Sequence, residues 1–330
     1  MVRARLIGRA LAALAAVMLA GASRPAPDNP VIVGADPHLA AIGHEWWLYP
    51  TGSGDAHDDF SADRLYGYHS PDLQHWSRVG SLLDLHAIPW IGQDGAPSHG
   101  LWAPALAQAN GKFYLYYAVG PQNPTPSRIG VAVGNAPGGP FTDIGHPLLT
   151  GGNGFEAIDP MVFVDPKSHV PYLYAGGSAG ATLRVYQLAP DMIHIAREVP
   201  TTQPPHFTEG VFMLERRGTY YLSYSHGHWN DASYSVRYAT APSPTGPWIY
   251  RGVILKSDAT HKGPGHHSIA QNPATGEWYI AYHRWENETD DGPYKGSRQI
   301  AIQRLAFRDG RIEPIRISDA PPPYAPIGDQ

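Results

Sequence analysis

Residues 206–225 read HFTEGVFMLERRGTYYLSYS. One carboxylate, Glu209, stands at the head of an apolar run. A turn at Arg216-Arg217-Gly218 follows, and an aromatic strand, Tyr220-Tyr221-Leu222-Ser223-Tyr224, runs back. Strand-forming residues on both sides of a Gly-containing turn predict a β-hairpin. Its first strand carries a single acid at its mouth.

That unit recurs. Comparable second strands begin at Gly43 (GHEWWLY), Gly111 (GKFYLYYA), Ser168 (SHVPYLYA), Gly218 (GTYYLSYS) and Gly276 (GEWYIAYH), at spacings of 68, 57, 50 and 58 residues. A third-strand segment follows each, starting at Arg64, Arg128, Thr182, Ser235 and Arg298, and ends in a Pro, Gly or Asp turn signal. No 3.6-residue apolar period is found after residue 30. About 60 residues and four strands per unit, five times over, predict an all-β fold. The architecture expected is a five-bladed β-propeller, with four-stranded antiparallel blades around a central channel. A sandwich would also supply many short strands, but it does not require a two-part motif recurring in the same order. The 36 Gly and 33 Pro are scattered between apolar runs and mark turns rather than disorder. The propeller is expected over residues 30–318, with a Pro-rich C-terminal tail, 319–330, outside the core.

Residues 1–22 read as a signal peptide: Arg3, Arg5 and Arg9, then the apolar stretch Ala10 to Leu19, then Ala20-Gly21-Ala22 as a cleavage signature. A short linker, 23–29, would follow. The expected location is periplasmic or secreted. The apolar stretch is too short for a comfortable membrane span, so no membrane partner is expected after cleavage. There are no cysteines, which excludes disulfides and thiolate chemistry. A net charge of −5 without a basic run argues against nucleic acid as a partner. Nineteen Tyr and nine Trp suit surfaces that stack on sugars, although β-rich folds carry aromatics in any case.

In a propeller the first strand of each blade lines the channel, so residues at its start converge on one mouth. Reading back seven to ten residues from each turn gives Asp36, Trp102, Asp159, Glu209 and His266. Three acids at one site repel one another and raise at least one pKa. Hydrolysis of a glycosidic bond by a general acid and a general base needs that division of labour. Asp-Pro and Glu-Gly are also ordinary turn dipeptides. Three acids at one place in the repeat, each followed by an apolar run, favour a site.

At these residues the chain resembles glycoside hydrolase family 43, the five-bladed propeller hydrolases of the arabinofuranosidase, xylosidase and arabinanase group. The resemblance rests on ADPHLA, LWAPAL with GKFYLYYA, AIDPMVFVD with YLYAGGS, TEGVFML with YYLSYS, GPGHHSI and WYIAYH, and spans essentially all of the chain after residue 22. It implies that Asp36 is the general base activating water and Glu209 the general acid. Asp159 would raise the pKa of Glu209 and orient it. Arg298 would contact the sugar and an acid, Trp102 would wall the pocket, and His266 would stand near a channel metal, usually calcium surrounded by water. Its neighbour His267 is a further substrate-binding candidate. The family often has an acid two residues after the Pro of WAP; Leu106 stands there.

Seventeen histidines invite a zinc reading, but His266 and His267 are neighbours on a strand and point to opposite faces, and His226 and His228 lack a third ligand by spacing. Asp55 to Asp63, DAHDDFSAD, lacks the spacing of an EF-hand and is expected as a loop at the pocket rim. The expected function is an exported inverting glycosidase acting on arabinose- or xylose-containing plant-wall oligo- or polysaccharides. An exo-acting α-L-arabinofuranosidase or β-xylosidase is expected; an endo-arabinanase, a retaining fructan or sucrose hydrolase and a non-catalytic sugar-binding propeller are the alternatives. Ala35-Asp36-Pro37-His38 and Ile158-Asp159-Pro160 do not match the fructan and sucrose hydrolase motifs.

Overall fold

A computed structural model describes residues 28–52, 61–178 and 180–328. Residues 1–22, expected as a signal peptide, and most of Asp55–Asp63, expected as a loop at the pocket rim, lie outside the described residues.

The first strand, β1 (Ile32–Val33), closes the ring. Blade I is β2 (Ala35–Ile42), β3 (Glu45–Thr51), β4 (Arg64–Ser70) and β5 (Ser77–Asp84). Blade II is β6 (Leu101–Ala109), β7 (Lys112–Val119) and β8 (Arg128–Gly134), its outer edge shared by β9 (Thr142–Asp143) and β10 (Leu149–Thr150). Blade III is β11 (Met161–Val164), β12 (Pro171–Ala175), β13 (Arg184–Leu188) and β14 (Ile195–Val199). Blade IV is β15 (Glu209–Arg216), β16 (Thr219–His226), β17 (Ser235–Ala241) and β18 (Ile249–Lys256). Blade V is β19 (Lys262–Gln271), β20 (Trp278–Trp285), β21 (Gln299–Leu305) and, as its outer strand, β1. The fold is the expected five-bladed β-propeller. A small hairpin, β22 (Phe307–Arg308) and β23 (Arg311–Ile312), follows blade V.

Tight turns set the register of the innermost hairpins. Ala109 pairs with Lys112 across Asn110-Gly111, and Arg216 with Thr219 across Arg217-Gly218. Both central residues of each turn have positive φ, the two-residue turn whose twist matches that of paired strands. The core lies between blades. Tyr49 and Leu65 of blade I pack with Leu115 and Tyr117 of blade II, and Tyr116 and Val131 with Leu173 and Tyr186 of blade III. Because each sheet is covered on both faces, its middle strands read as near-continuous apolar and aromatic runs, as in YYLSY.

The two ends of the domain differ from expectation. Asn29, expected in the linker, is buried; its side chain donates to the Ile302 carbonyl at 2.9 Å and accepts the Ile302 N–H at 3.0 Å. It extends by one rung the ladder in which Ile32 faces Ile300. The tail expected outside the core packs onto it. Ala325 and Ile327 are buried beside Trp46 and Tyr279, and the Ala325 carbonyl accepts the Trp46 indole N–H at 2.7 Å. Proline there leaves carbonyls available and forms no ladder of its own.

Candidate active site

Each inner strand has, within or just before its first half, a residue in the left-handed region: Asp36 (φ 49°), Ala103 (45°), Asp159 (53°), Gly210 (60°) and His266 (36°). In blades I, II, IV and V the pairing shifts at this point, a bulge that re-aims the strand mouth. The expected single ring therefore occupies two registers. Asp36, Asp159 and His266 are the left-handed residues themselves, whereas Trp102 and Glu209 stand one residue before theirs.

Neighbouring blades tie these bulges down. The N–H of Asp36 is accepted by His283 Nδ1 at 3.1 Å, and that of Ala103 by Thr51 Oγ1 at 2.7 Å. The N–H of Gly210 goes to Asp159 Oδ2 at 3.0 Å, and that of His266 to Ser225 Oγ at 2.8 Å. Left-handed backbone at Ala103 and His266 is costly unless its surroundings over-determine it, and these bonds do so.

The three carboxylates have different company. Asp36 Oδ1 lies 3.1 Å from Arg298, 3.2 Å from His266 Nδ1 and 3.3 Å from His283 Nδ1. Burial would push this carboxyl up, but the Arg298 and His266 charges outweigh it and hold Asp36 well below the usual carboxylate range. Glu209 is held by neutral hydroxyls: Tyr234 donates to Oε1 and Ser178 to Oε2, each at 2.8 Å. Asp159 sits beside both. Burial raises it to about 7, with Glu209 and Asp36 adding to the effect and His266, 3.6 Å from Oδ2, opposing it. Burial works against charge on His266, yet Asp159 and Asp36 raise it to about 9.

A pocket brings together Asp36, Trp102, Asp159, Glu209, His266 and Arg298, six of the seven residues singled out by sequence. His267, expected to contact substrate, does not line it. Its ring is buried, with Nε2 2.6 Å from Ser223 Oγ.

Sequence reasoning missed Ser178, Trp229, Tyr234 and His283. Ser178 had a signal, the Gly176-Gly177 pair after β12: a Cβ on Gly177 would lie 2.4 Å from Glu209 Cβ. Trp229, in the loop after β16, lines the pocket with the Arg298 guanidinium 5.1 Å from its ring centroid. Tyr234 and His283 left no pattern, since only folding brings them beside Glu209 and Asp36.

The calcium expected near His266 would be held mainly by water. His266 Nδ1 is turned to two carboxylates, which leaves Nε2 as the atom that would face such an ion, and among the described residues no group of three or more His, Cys, Asp or Glu is arranged to hold one by protein ligands alone.

The family model "Glycosyl hydrolases family 43" matches residues 27–312. A β-D-galactofuranosidase of Aspergillus niger is 36% identical over 88% of this chain and 85% of its own length. A xylosidase/arabinosidase of Bacteroides ovatus is 28% identical over 86% of this chain and 95% of its own. Among solved structures, a thermostable family-43 glycoside hydrolase superposes with a TM-score of 0.74 at 27% identity, covering 91% of this chain and 99% of that one. A β-xylosidase/α-arabinofuranosidase from a compost microbial metagenome, solved with xylotriose in a calcium-free form, gives a TM-score of 0.68 at 28% identity, covering 87% and 95%.

Proposed function

Because the chain belongs to glycosyl hydrolases family 43, we propose that it is an exported, inverting, exo-acting glycosidase. Its substrates would be arabinose- or xylose-containing plant-wall glycans, from which it removes terminal α-L-arabinofuranosyl or β-xylosyl residues. The observation that carries this reading is the unequal company of three carboxylates in one pocket. Asp36, beside the Arg298 and His266 charges, is kept ionised and serves as the base that takes a proton from water. Glu209, held by hydroxyls that can accept as well as donate, suits a carboxyl that gives its proton to the leaving-group oxygen and regains it. Asp159 accepts the N–H of the residue after Glu209 and so fixes the backbone that carries the acid. Trp102 and Trp229, from blades II and IV, are the aromatic walls for the terminal sugar ring.

The likeness to a β-D-galactofuranosidase favours a furanoside among the candidate substrates. The test is a panel of nitrophenyl α-L-arabinofuranoside, β-D-xyloside and β-D-galactofuranoside, with arabinan and arabinoxylan read out as reducing sugar. Release of single sugars supports exo action, and a ladder of oligosaccharides would replace it with endo action. NMR of the first product anomer decides inversion, since retention overturns it. Export is tested by N-terminal sequencing of protein recovered outside the cytoplasm, where Met1 intact would end that part of the proposal.

A further inference from the structure

Two buried rings lie between the candidate acid and the candidate base. Tyr234, just before β17, directs its hydroxyl at Glu209. His283, in β20, accepts the Asp36 N–H and lies against the Asp36 carboxylate. The rings stack on each other, with centroids 5.7 Å apart and planes 6° from parallel. A continuous path thus runs from Glu209 through phenol and imidazole to Asp36. Gly265 makes room for it, because a Cβ there would lie 1.9 Å from the Tyr234 ring.

Both could be plain core aromatics. Packing alone, however, would be served by phenylalanine, which has no buried polar group to satisfy. Here the Tyr234 hydroxyl and His283 Nδ1 are each spent on a carboxylate residue of the pocket, and among the polar atoms of the two rings only His283 Nε2 is left without a partner. Burial, with the Glu209 charge, pushes the Tyr234 phenol far above its ordinary value, so it remains a donor. Burial, with the Arg298 charge, lowers His283 to about 3, so it is neutral. With Nδ1 accepting from Asp36, the His283 proton sits on Nε2.

We propose that Tyr234 and His283 form a stacked positioning pair that fixes Glu209 and Asp36 relative to each other. This rests on the acid and base roles proposed above. Neither ring touches the reacting atoms; each acts through its carboxylate residue. The gain is geometric, because small misplacements of a catalytic group cost large factors in rate.

The test is kcat and KM for Tyr234→Phe, His283→Leu, His283→Asn and the Tyr234→Phe/His283→Leu double variant, on aryl glycosides of graded leaving-group acidity. Glu209→Gln is the reference. Tyr234→Phe keeps the ring and removes the hydroxyl. It should lose kcat by roughly ten- to a hundredfold with poor leaving groups. With dinitrophenolate, which departs without protonation, the loss should be within about threefold. A loss caused only by weakened folding would not depend on the leaving group. His283→Leu should lose rate about equally across the series, and His283→Asn, whose amide can still accept the Asp36 N–H, should recover part of it. The double variant should lose less than the product of the two singles, because either change already breaks the link between Glu209 and Asp36 that runs through the stack. Tyr234→Phe within twofold of wild type on every substrate, or single losses that multiply in the double variant, would overturn the pair while Glu209→Gln remains inactive. An active Glu209→Gln would instead overturn the parent assignment of the acid.

Discussion

His267 makes acid sensitivity of this fold predictable. Its ring is buried in the inner strand of blade V, and burial, reinforced by the His266 charge, lowers it from 6.5 to about 3. The sign follows from the two states. Between those values the unfolded chain binds a proton at this position and the folded chain does not. Its contribution to stability is therefore complete above pH 6.5 and is lost progressively as pH falls toward 3. From pH 7 to pH 5 the unfolded imidazole goes from about a quarter protonated to almost fully protonated, which costs about 2 kcal/mol of folding stability. A domain holds only about 5–15 kcal/mol in all, so one histidine is a sizeable share. The perturbation is His267→Gln, whose amide can still reach Ser223 Oγ but does not titrate. Urea unfolding at pH 7 and pH 5, followed by the fluorescence of nine tryptophans, gives the stability lost by each protein. The variant should lose about 2 kcal/mol less than wild type over that interval, with unchanged m-values. Any constant cost of the substitution cancels in the difference. Equal losses in the two proteins would refute a neutral, buried His267.

Three further outcomes are expected. Asp36→Asn and Glu209→Gln should each cut kcat at least about a thousandfold while leaving the thermal transition cooperative, as measured on the best nitrophenyl substrate with calorimetry alongside; near-wild-type turnover in both would end the acid–base assignment. Gly120→Ala would place a Cβ 1.9 Å from the Trp102 ring, so the pocket wall must move. KM should rise roughly tenfold with kcat changed only a few-fold; an unaltered KM would show that Trp102 does not wall the substrate. Arg284 is fully buried, pairs with Glu286 and Asp319 and donates to the Asn29 carbonyl, so it clasps both chain ends to blade V. Arg284→Met should cost about 2–3 kcal/mol, a Tm several degrees lower, and an unchanged melt would show that the ends close the ring without it.

How much of this was legible before folding depends on the range of the interaction. The blades were legible because each is a local object: an Asn110-Gly111 or Arg217-Gly218 turn and two apolar strands need only their own neighbours in sequence. Asp36, Trp102, Asp159, Glu209 and His266 were legible because the repeat assigns each one a place. Their orientation was not. The bulge puts Glu209 and Trp102 one residue ahead of the left-handed position that Asp36, Asp159 and His266 occupy. His266 lines the pocket and His267, the next residue, does not. The Pro-rich tail read as solvent-exposed because nothing in its composition reveals that Trp46 and Asn272 would bond its carbonyls.

From the sequence alone come the number of blades, the order of the strands and the acids at their mouths, since periodicity and turn chemistry act over a few residues. Only the closed ring decides which acid is ionised and which is held by hydroxyls. Arg298 reaches Asp36 across 262 positions, His283 across 247, and Tyr234 reaches Glu209 across 25. A carboxylate's charge is set by what surrounds it in space, and closure of the propeller is what assembles those surroundings.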